Sequence, residues 1–115
     1  MSKSSIEFIR HIYEETGFII ENSVDLSGED LYDNEVLKRA VVRSLEIIGE
    51  AAKKVDEDFK IKYPGIEWRS MGKMRDKLIH HYFGVDYDIV MDVILNKIPE
   101  LHHQLQKILE EEIDE

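Results

Sequence analysis

The segment that decides the fold is Asn34–Val55, NEVLKRAVVRSLEIIGEAAKKV. Its apolar residues recur three and four positions apart, which gives an α-helix one wide apolar face, and charged residues fill the opposite side. About twenty residues at 1.5 Å each form a helix of roughly 30 Å. Gly49 lies within it, and because glycine has no side chain, we expect a second helix to approach closely there. The segment therefore predicts a long amphipathic helix with its apolar face in the core.

Helical signals are also present on both sides of this segment. Residues 5–22 have helical apolar spacing and predict a first helix. Ser27, followed three positions later by Asp30, matches the start of a second helix, because the two side chains can cap each other's backbone. Tyr63-Pro64-Gly65 is a strong turn signal. A turn is therefore expected between the long helix and the next one.

Three further helices are expected after that turn, and glycine and proline mark their ends. We expect them from Glu67 to the pair Phe83-Gly84, from Val85 to Asn96, and from Pro99 onward. No stretch alternates apolar and polar residues as a strand would. The predicted fold class is all-α, an up-down helical bundle of four to five main helices.

Composition narrows the classes of protein that fit. The 115 residues predict a single domain, 1–115, in which about residues 110–115 form an acidic, frayed tail. The absence of Cys excludes disulfides and Cys-ligated metal sites. We find neither an apolar signal-peptide core nor a run long enough to span a membrane, and we expect a cytoplasmic protein. A net charge of −10 argues against broad, non-specific binding of nucleic acid, so any such contact must be local or made by an assembly.

One basic segment runs against this charge. Between Arg69 and Tyr82 there are four basic residues and one acid, and the stretch Arg75-Asp76-Lys77-Leu78-Ile79-His80-His81-Tyr82 holds most of the polar chemistry. Arginine binds phosphate through paired hydrogen bonds, and histidine transfers protons near neutral pH. Asp76 lies four residues before His80 and could orient its imidazole. These are components for phosphodiester cleavage, and RNA needs no metal because its 2′-hydroxyl can be the nucleophile.

Spacing alone leaves structural interpretations open. His80 and His81 would also suit a helix C-terminus, where the dipole favours positive charge. His102 and His103 are adjacent on a predicted helix and point about 100° apart, so we expect them to face solvent rather than share a metal. Trp68, together with Met71 and Met74, is expected in the core or at a dimer contact. No metal site and no cofactor are predicted.

The motif and its surroundings resemble the HEPN-domain toxins of the HepT type. Arg75, four residues, His80, one residue and Tyr82 match the signature of that family. Three more segments match in the expected order: Val42–Lys54, Tyr63–Arg69 and Ile98–Leu101. The resemblance covers essentially the whole chain and implies a HEPN-like helical bundle that dimerises, so that two copies of the motif face one cleft.

The resemblance also implies a function. Such proteins are typically metal-independent endoribonucleases, toxins paired with a small MNT-type nucleotidyltransferase antitoxin. Arg75 and His80 would be the catalytic pair and Asp76 their supporting residue. Tyr82 would be the acceptor for AMP added by the nucleotidyltransferase, which silences the toxin. His81 occupies a variable position and receives no role.

Two alternatives remain beside an RNA-cleaving enzyme. One is a non-catalytic HEPN module that docks a nucleotide or the nucleotidyltransferase. The other is a helical dimerisation domain, in which alanine at Arg75 would leave RNA and nucleotide binding unchanged. An RNase assay on the purified protein, with alanine at Arg75 and His80 as control, distinguishes the enzyme from both.

Overall fold

The described residues form seven α-helices and one π-helical turn. The structure, a computed structural model, describes the backbone of residues 3–81 and 84–113 and the side chains of residues 5–81 and 84–112. The elements are α1 (Lys3–Asn22), α2 (Gly28–Asp33), α3 (Glu35–Lys54), α4 (Glu57–Lys62), α5 (Trp68–His80), α6 (Tyr87–Asp92), the π turn (Val93–Lys97) and α7 (Ile98–Ile113). The described residues contain no strand, which confirms the predicted all-α class. None of their helices is both long and apolar enough to cross a membrane.

Helix α3 is central because it packs against α1 on one side and α5 on the other, while α7 packs on α1. Its apolar stripe is buried in one core together with apolar residues of α1 and α7. The core contains, among others, Val41, Leu45, Ile48 and Ala52 of α3, Ile9, Ile12 and Ile19 of α1, and Leu105 and Ile108 of α7. The helix begins after Asn34, whose side chain accepts a hydrogen bond from the N–H of Leu37 at 3.0 Å. The predicted helix over Asn34–Val55 is confirmed.

Helices α3 and α5 approach each other most tightly at Gly49. A Cβ atom at Gly49 would overlap the Cβ of Arg75 and lie 2.5 Å from the carbonyl oxygen of Met71. Only glycine therefore allows this distance between the two backbones. The expected close approach is confirmed, and its partner is the helix that carries the basic motif.

The first two helices follow the sequence signals. Helix α1 runs through Gly17 without a break. Helix α2 begins after Ser27, whose hydroxyl accepts from the N–H of Asp30 at 3.0 Å, while the Asp30 carboxylate accepts from the Ser27 N–H at 3.3 Å. This reciprocal pair satisfies two backbone donors that would otherwise lack partners. Both predictions are confirmed.

The end of α5 differs from the prediction. The helix ends at His80 rather than near Phe83-Gly84, and Gly84 does not have the positive φ of a glycine helix cap. The N–H of Gly84 instead donates to the carbonyl of His81 at 2.9 Å, which closes a turn directly after the helix. The chain then reaches Asp86, which caps the start of α6. Helical periodicity does not encode this local turn.

Pro99 does not begin the last helix. The chain stays helical from Tyr87 to Ile113, and the π turn Val93–Lys97 comes directly before α7. A proline inside an α-helix lacks an N–H and clashes with the carbonyl four residues earlier. A π turn widens the helix by one residue per turn and so relieves this conflict without ending the helix.

The acidic end of the chain is not a frayed tail. Helix α7 continues to Ile113, and the hydroxyl of Tyr63 contacts the carboxylates of Glu111 and Glu112 at 3.0 and 3.3 Å. Lys62 bonds Glu112 at 3.0 Å, and the Glu112 side chain is only 2% exposed. Burial, together with these carboxylates, raises the pKa of Tyr63. The tail prediction is wrong for residues 110–113, and residues 114–115 lie outside the described part.

Histidine 102 is a structural residue rather than a solvent-facing one. Its ring stacks on Tyr13 with centroids 4.3 Å apart, and its Nδ1 lies 2.7 Å from the Thr16 hydroxyl. Because that hydroxyl donates to the Tyr13 carbonyl at 2.9 Å, its oxygen must accept the N–H of His102. The expectation was wrong for His102 and right for the exposed His103. His102 therefore has a structural role, and His103 faces solvent.

The Trp68 ring lies in the core as expected, and its Nε1 donates to the carbonyl of Tyr63 at 3.0 Å. This bond fixes the turn that leads into α5. Met71 and Met74 are half-buried and pack against the core. The first half of α5 is thus anchored to the body of the fold.

We expect Gly49→Ala to destabilise the protein, although alanine normally favours a helix. The new methyl group would overlap Arg75 and push α5 away from α3, an overpacking cost of about 1–3 kcal/mol. Urea unfolding followed by circular dichroism would measure it. The matched control is Gly17→Ala on α1, where a Cβ would lie 3.4 Å from His102, an ordinary contact distance. That change should be neutral or stabilising by up to about 1 kcal/mol. An unchanged or raised stability of Gly49→Ala would contradict the proposed packing.

Candidate functional site

Arg75 is the most constrained polar residue of the motif. Its Cβ lies against Gly49, and its side chain is 28% exposed. The Nη1 atom donates to Asp76 Oδ1 at 3.3 Å, whereas the buried Nε has no hydrogen-bond partner among the described residues. An unpaired buried donor typically costs about 1–3 kcal/mol. The guanidinium is therefore held by one edge and keeps hydrogen-bonding capacity for an anionic ligand.

The carboxylate of Asp76 accepts hydrogen bonds from both Arg75 and Lys53. Its Oδ1 accepts from Lys53 Nζ at 2.5 Å as well as from Arg75. The hydrogen bond from Lys53, reinforced by that from Arg75, lowers the pKa of Asp76 below its usual value. The carboxylate is therefore ionised at neutral pH. In this state it orients the guanidinium and links α3 to α5.

Lys53 was not among the residues singled out from the sequence. Its methylenes pass over Gly72, where a Cβ would lie 3.1 Å from Lys53 Cε and 3.2 Å from Cγ. The signal that could have found it is a matched spacing. Gly49 precedes Lys53 by four residues on α3, and Gly72 precedes Asp76 by four on α5, so each helix carries a glycine one turn before a charged residue.

His80 is the last residue of α5 and is exposed to solvent. None of the described residues hydrogen-bonds its imidazole, and the expected Asp76–His80 contact is not formed because Asp76 turns toward Lys53. Arg75 and His80 are five residues apart, about 140° around the helix, so they occupy different faces. One protomer therefore offers a held guanidinium and a free imidazole, but it does not bring them into contact.

His81 and Tyr82 complete the motif after His80. His81 is exposed at the C-terminal cap of α5, and its N–H donates to the Lys77 carbonyl at 2.9 Å. Tyr82, the predicted acceptor of AMP, lies outside the described residues. In the part of the chain that the structure describes, no three His, Asp or Glu side chains come together as metal ligands would.

These groups define the available chemistry. A partly buried guanidinium can bind a phosphate and neutralise charge that develops on it, because burial strengthens electrostatic interactions. An exposed imidazole can accept or donate a proton near neutral pH. Both functions contribute to cleavage of a phosphodiester bond.

Comparison with known proteins agrees with this chemistry. The family model described as "Ribonuclease HepT-like" matches residues 6–108. A protein of Caldanaerobacter subterraneus named "Putative RNase" is 46% identical over 110 residues, which span 96% of this chain and 98% of that protein. A comparison with the solved structures gives no match.

Two archaeal proteins are similar over nearly the same extent. One, from Thermococcus cleftensis and named "Probable ribonuclease HepT", is 40% identical over 94% of this chain and 98% of its own length. Another, from Methanocaldococcus jannaschii and named "Putative RNase", is 40% identical over 90% of this chain and 86% of its own length. The match extends over almost the whole chain and includes the helix that carries Arg75 and His80, and the protein therefore belongs to the HepT-like ribonuclease family.

Proposed function

We propose that the protein is a metal-independent endoribonuclease, the toxin of a toxin–antitoxin pair. The observation that carries the proposal is Arg75, whose Cβ packs on Gly49 and whose guanidinium is held by Asp76, while its buried Nε has no partner among the described residues. A fold that accepts this cost on the same helix as a free His80 is suited to bind a phosphate there. Membership of a ribonuclease family supports RNA as the substrate.

In the proposed reaction, His80 acts as general acid and base and Arg75 as the phosphate clamp. The imidazole takes the proton of the RNA 2′-hydroxyl, and the O2′–P bond forms while the P–O5′ bond breaks. The imidazolium returns the proton to the departing O5′, so the products carry a cyclic phosphate and a free hydroxyl. Arg75 stabilises the negative charge on the non-bridging oxygens as it grows.

The proposed active unit is a homodimer. Because Arg75 and His80 occupy different faces of α5, one protomer alone does not complete the site. A second copy that places its α5 opposite would bring His80 of the partner subunit toward Arg75. Two basic segments would then face one cleft, and the acids elsewhere on this chain of net charge −10 would discourage other contacts with nucleic acid.

We further propose that a partner nucleotidyltransferase of the MNT type silences the site through Tyr82. The Tyr82 oxygen would attack the α-phosphate of ATP and release pyrophosphate, leaving AMP on the ring. Tyr82 lies two residues after His80 in the sequence, so the added phosphate would bring negative charge to the basic motif and compete with RNA for the guanidinium of Arg75.

We expect Arg75→Ala and His80→Ala each to lower the rate of RNA cleavage by about 100- to 10,000-fold, because each removes one chemical function. The assay is cleavage of single-stranded RNA by the purified protein in the presence of a chelator. His103→Ala, which removes another exposed imidazole, is the matched control and should cleave normally. Full cleavage by His80→Ala would rule out its catalytic role. A wild-type protein that binds RNA or the nucleotidyltransferase without cleaving would favour the non-catalytic docking module.

Asp76→Asn should lower cleavage by on the order of tenfold to a hundredfold, less than Arg75→Ala, because the guanidinium remains but is no longer held. Its effect on stability should depend on pH. The pKa of Asp76 is lowered in the folded state, so the carboxylate stabilises the fold above its ordinary pKa, and this contribution is lost as the pH falls through the lowered value. Urea midpoints of wild type and variant should therefore differ at pH 7 and converge under strong acid. Asp33→Asn, at an exposed carboxylate, is the control. A difference that stayed constant with pH would contradict the network.

A further inference from the structure

A basic groove lies beside the candidate site, between the end of α3, α4 and the first half of α5. Its volume is about 530 Å³. Four cations line it against two carboxylates: Lys53, Lys60, Arg69 and Lys73, with Glu57 and Asp76. This excess of positive charge is notable because the whole chain carries a net charge of −10. The groove is therefore a local attractor for anions on an otherwise repelling surface.

Two of the four cations have no acidic partner. Lys60 is paired with Glu57 at 3.6 Å, and Lys53 with Asp76. Arg69 and Lys73 are exposed and form no ion pair within the described part of the chain. They are four residues apart on α5, a spacing at which like charges repel slightly. The fold leaves this repulsion uncompensated, and an anionic ligand between the two side chains would remove it.

The groove leads to the proposed catalytic residue. Arg69, Lys73, Asp76 and His80 follow one another at spacings of four, three and four, which places them along one stripe of α5. The stripe from Arg69 to His80 covers eleven residues, or about 16 Å at 1.5 Å per residue. Gly72 carries no side chain, so only the methylenes of Lys53 cover the floor of the groove there. An extended polyanion lying in the groove would therefore run along the helix toward His80.

We propose that this groove binds backbone phosphates of single-stranded RNA next to the bond that is cut, with Arg69 and Lys73 as the principal contacts. The inference rests on the proposed ribonuclease function and adds the path of the substrate. Trp68 lines the groove but is only 8% exposed, so its ring cannot serve as a stacking platform for bases. The contacts are thus made to phosphate, and the groove adds affinity without selecting a base sequence.

The test is the binding of a fluorescent single-stranded RNA of about ten nucleotides, measured by anisotropy at several salt concentrations. The RNA carries 2′-O-methyl groups, which block the nucleophile and keep the probe intact. Relative to wild type, Arg69→Gln with Lys73→Gln should weaken binding about tenfold or more near 0.1 M salt. The slope of log K against log salt should fall by about 1.4, since each phosphate contact on a single strand contributes about 0.7.

Two double variants serve as controls. Arg10→Gln with Lys107→Gln changes the net charge equally at exposed cations on α1 and α7, and it should leave the salt slope near that of wild type. Arg69→Lys with Lys73→Arg keeps both charges and should retain affinity. Circular dichroism checks that each variant is folded.

Three results would overturn the groove. The first is an unchanged salt slope in Arg69→Gln with Lys73→Gln. The second is an equal loss of RNA affinity in the Arg10→Gln with Lys107→Gln control. The third is that Arg69→Gln with Lys73→Gln loses binding to a poly-glutamate peptide but keeps binding to RNA, which would make the groove a site for acidic peptides. Failure of the proposed function looks different, since unmodified RNA would then stay uncut whether or not the groove variants bind the probe.

Discussion

The contact between Gly49 and Arg75 is the constraint on which the site depends. It lets two helix backbones meet at a distance that any side chain at Gly49 would prevent, and it places the base of a charged side chain against the core. Arg75 is consequently only 28% exposed, although it carries a full charge. The same contact that stabilises the α3–α5 pair therefore also creates the electrostatic environment of the guanidinium. Packing and candidate function are inseparable at this position.

A polar layer crosses the helix pair one turn further along. Lys53 passes over Gly72 to reach Asp76, and Asp76 in turn holds Arg75. Gly49 makes room for Arg75 of the opposite helix, and Gly72 makes room for Lys53, so the same arrangement occurs twice between the two helices. Among the described residues, the buried Nε of Arg75 is the one donor of this layer that has no partner.

Local sequence signals predicted local structure well. The apolar spacing of α3 and the capping pair Ser27–Asp30 follow from residues near one another in the chain. Gly49 indicated a close approach but not its partner, Arg75 on α5. The predictions failed where distant residues decide the outcome. His102 is held by Tyr13 and Thr16 of α1, and the side chain of Glu112 is buried against Tyr63 and Lys62. The early end of α5 is a separate failure, because the turn at Gly84 that follows it is local. Of the site, Arg75, Asp76 and His80 could be named from the motif, whereas Lys53 depends on packing between two helices.

In the proposed homodimer, each protomer supplies half of a shared site, Arg75 from one copy and His80 from the other. The most direct test is to co-purify a mixed dimer of Arg75→Ala and His80→Ala protomers with different tags and measure its RNA cleavage. Each variant alone should be inactive, and the mixed dimer should regain cleavage because one of its two sites combines an intact arginine with an intact histidine. A mixed dimer as inactive as its parents would contradict the shared site.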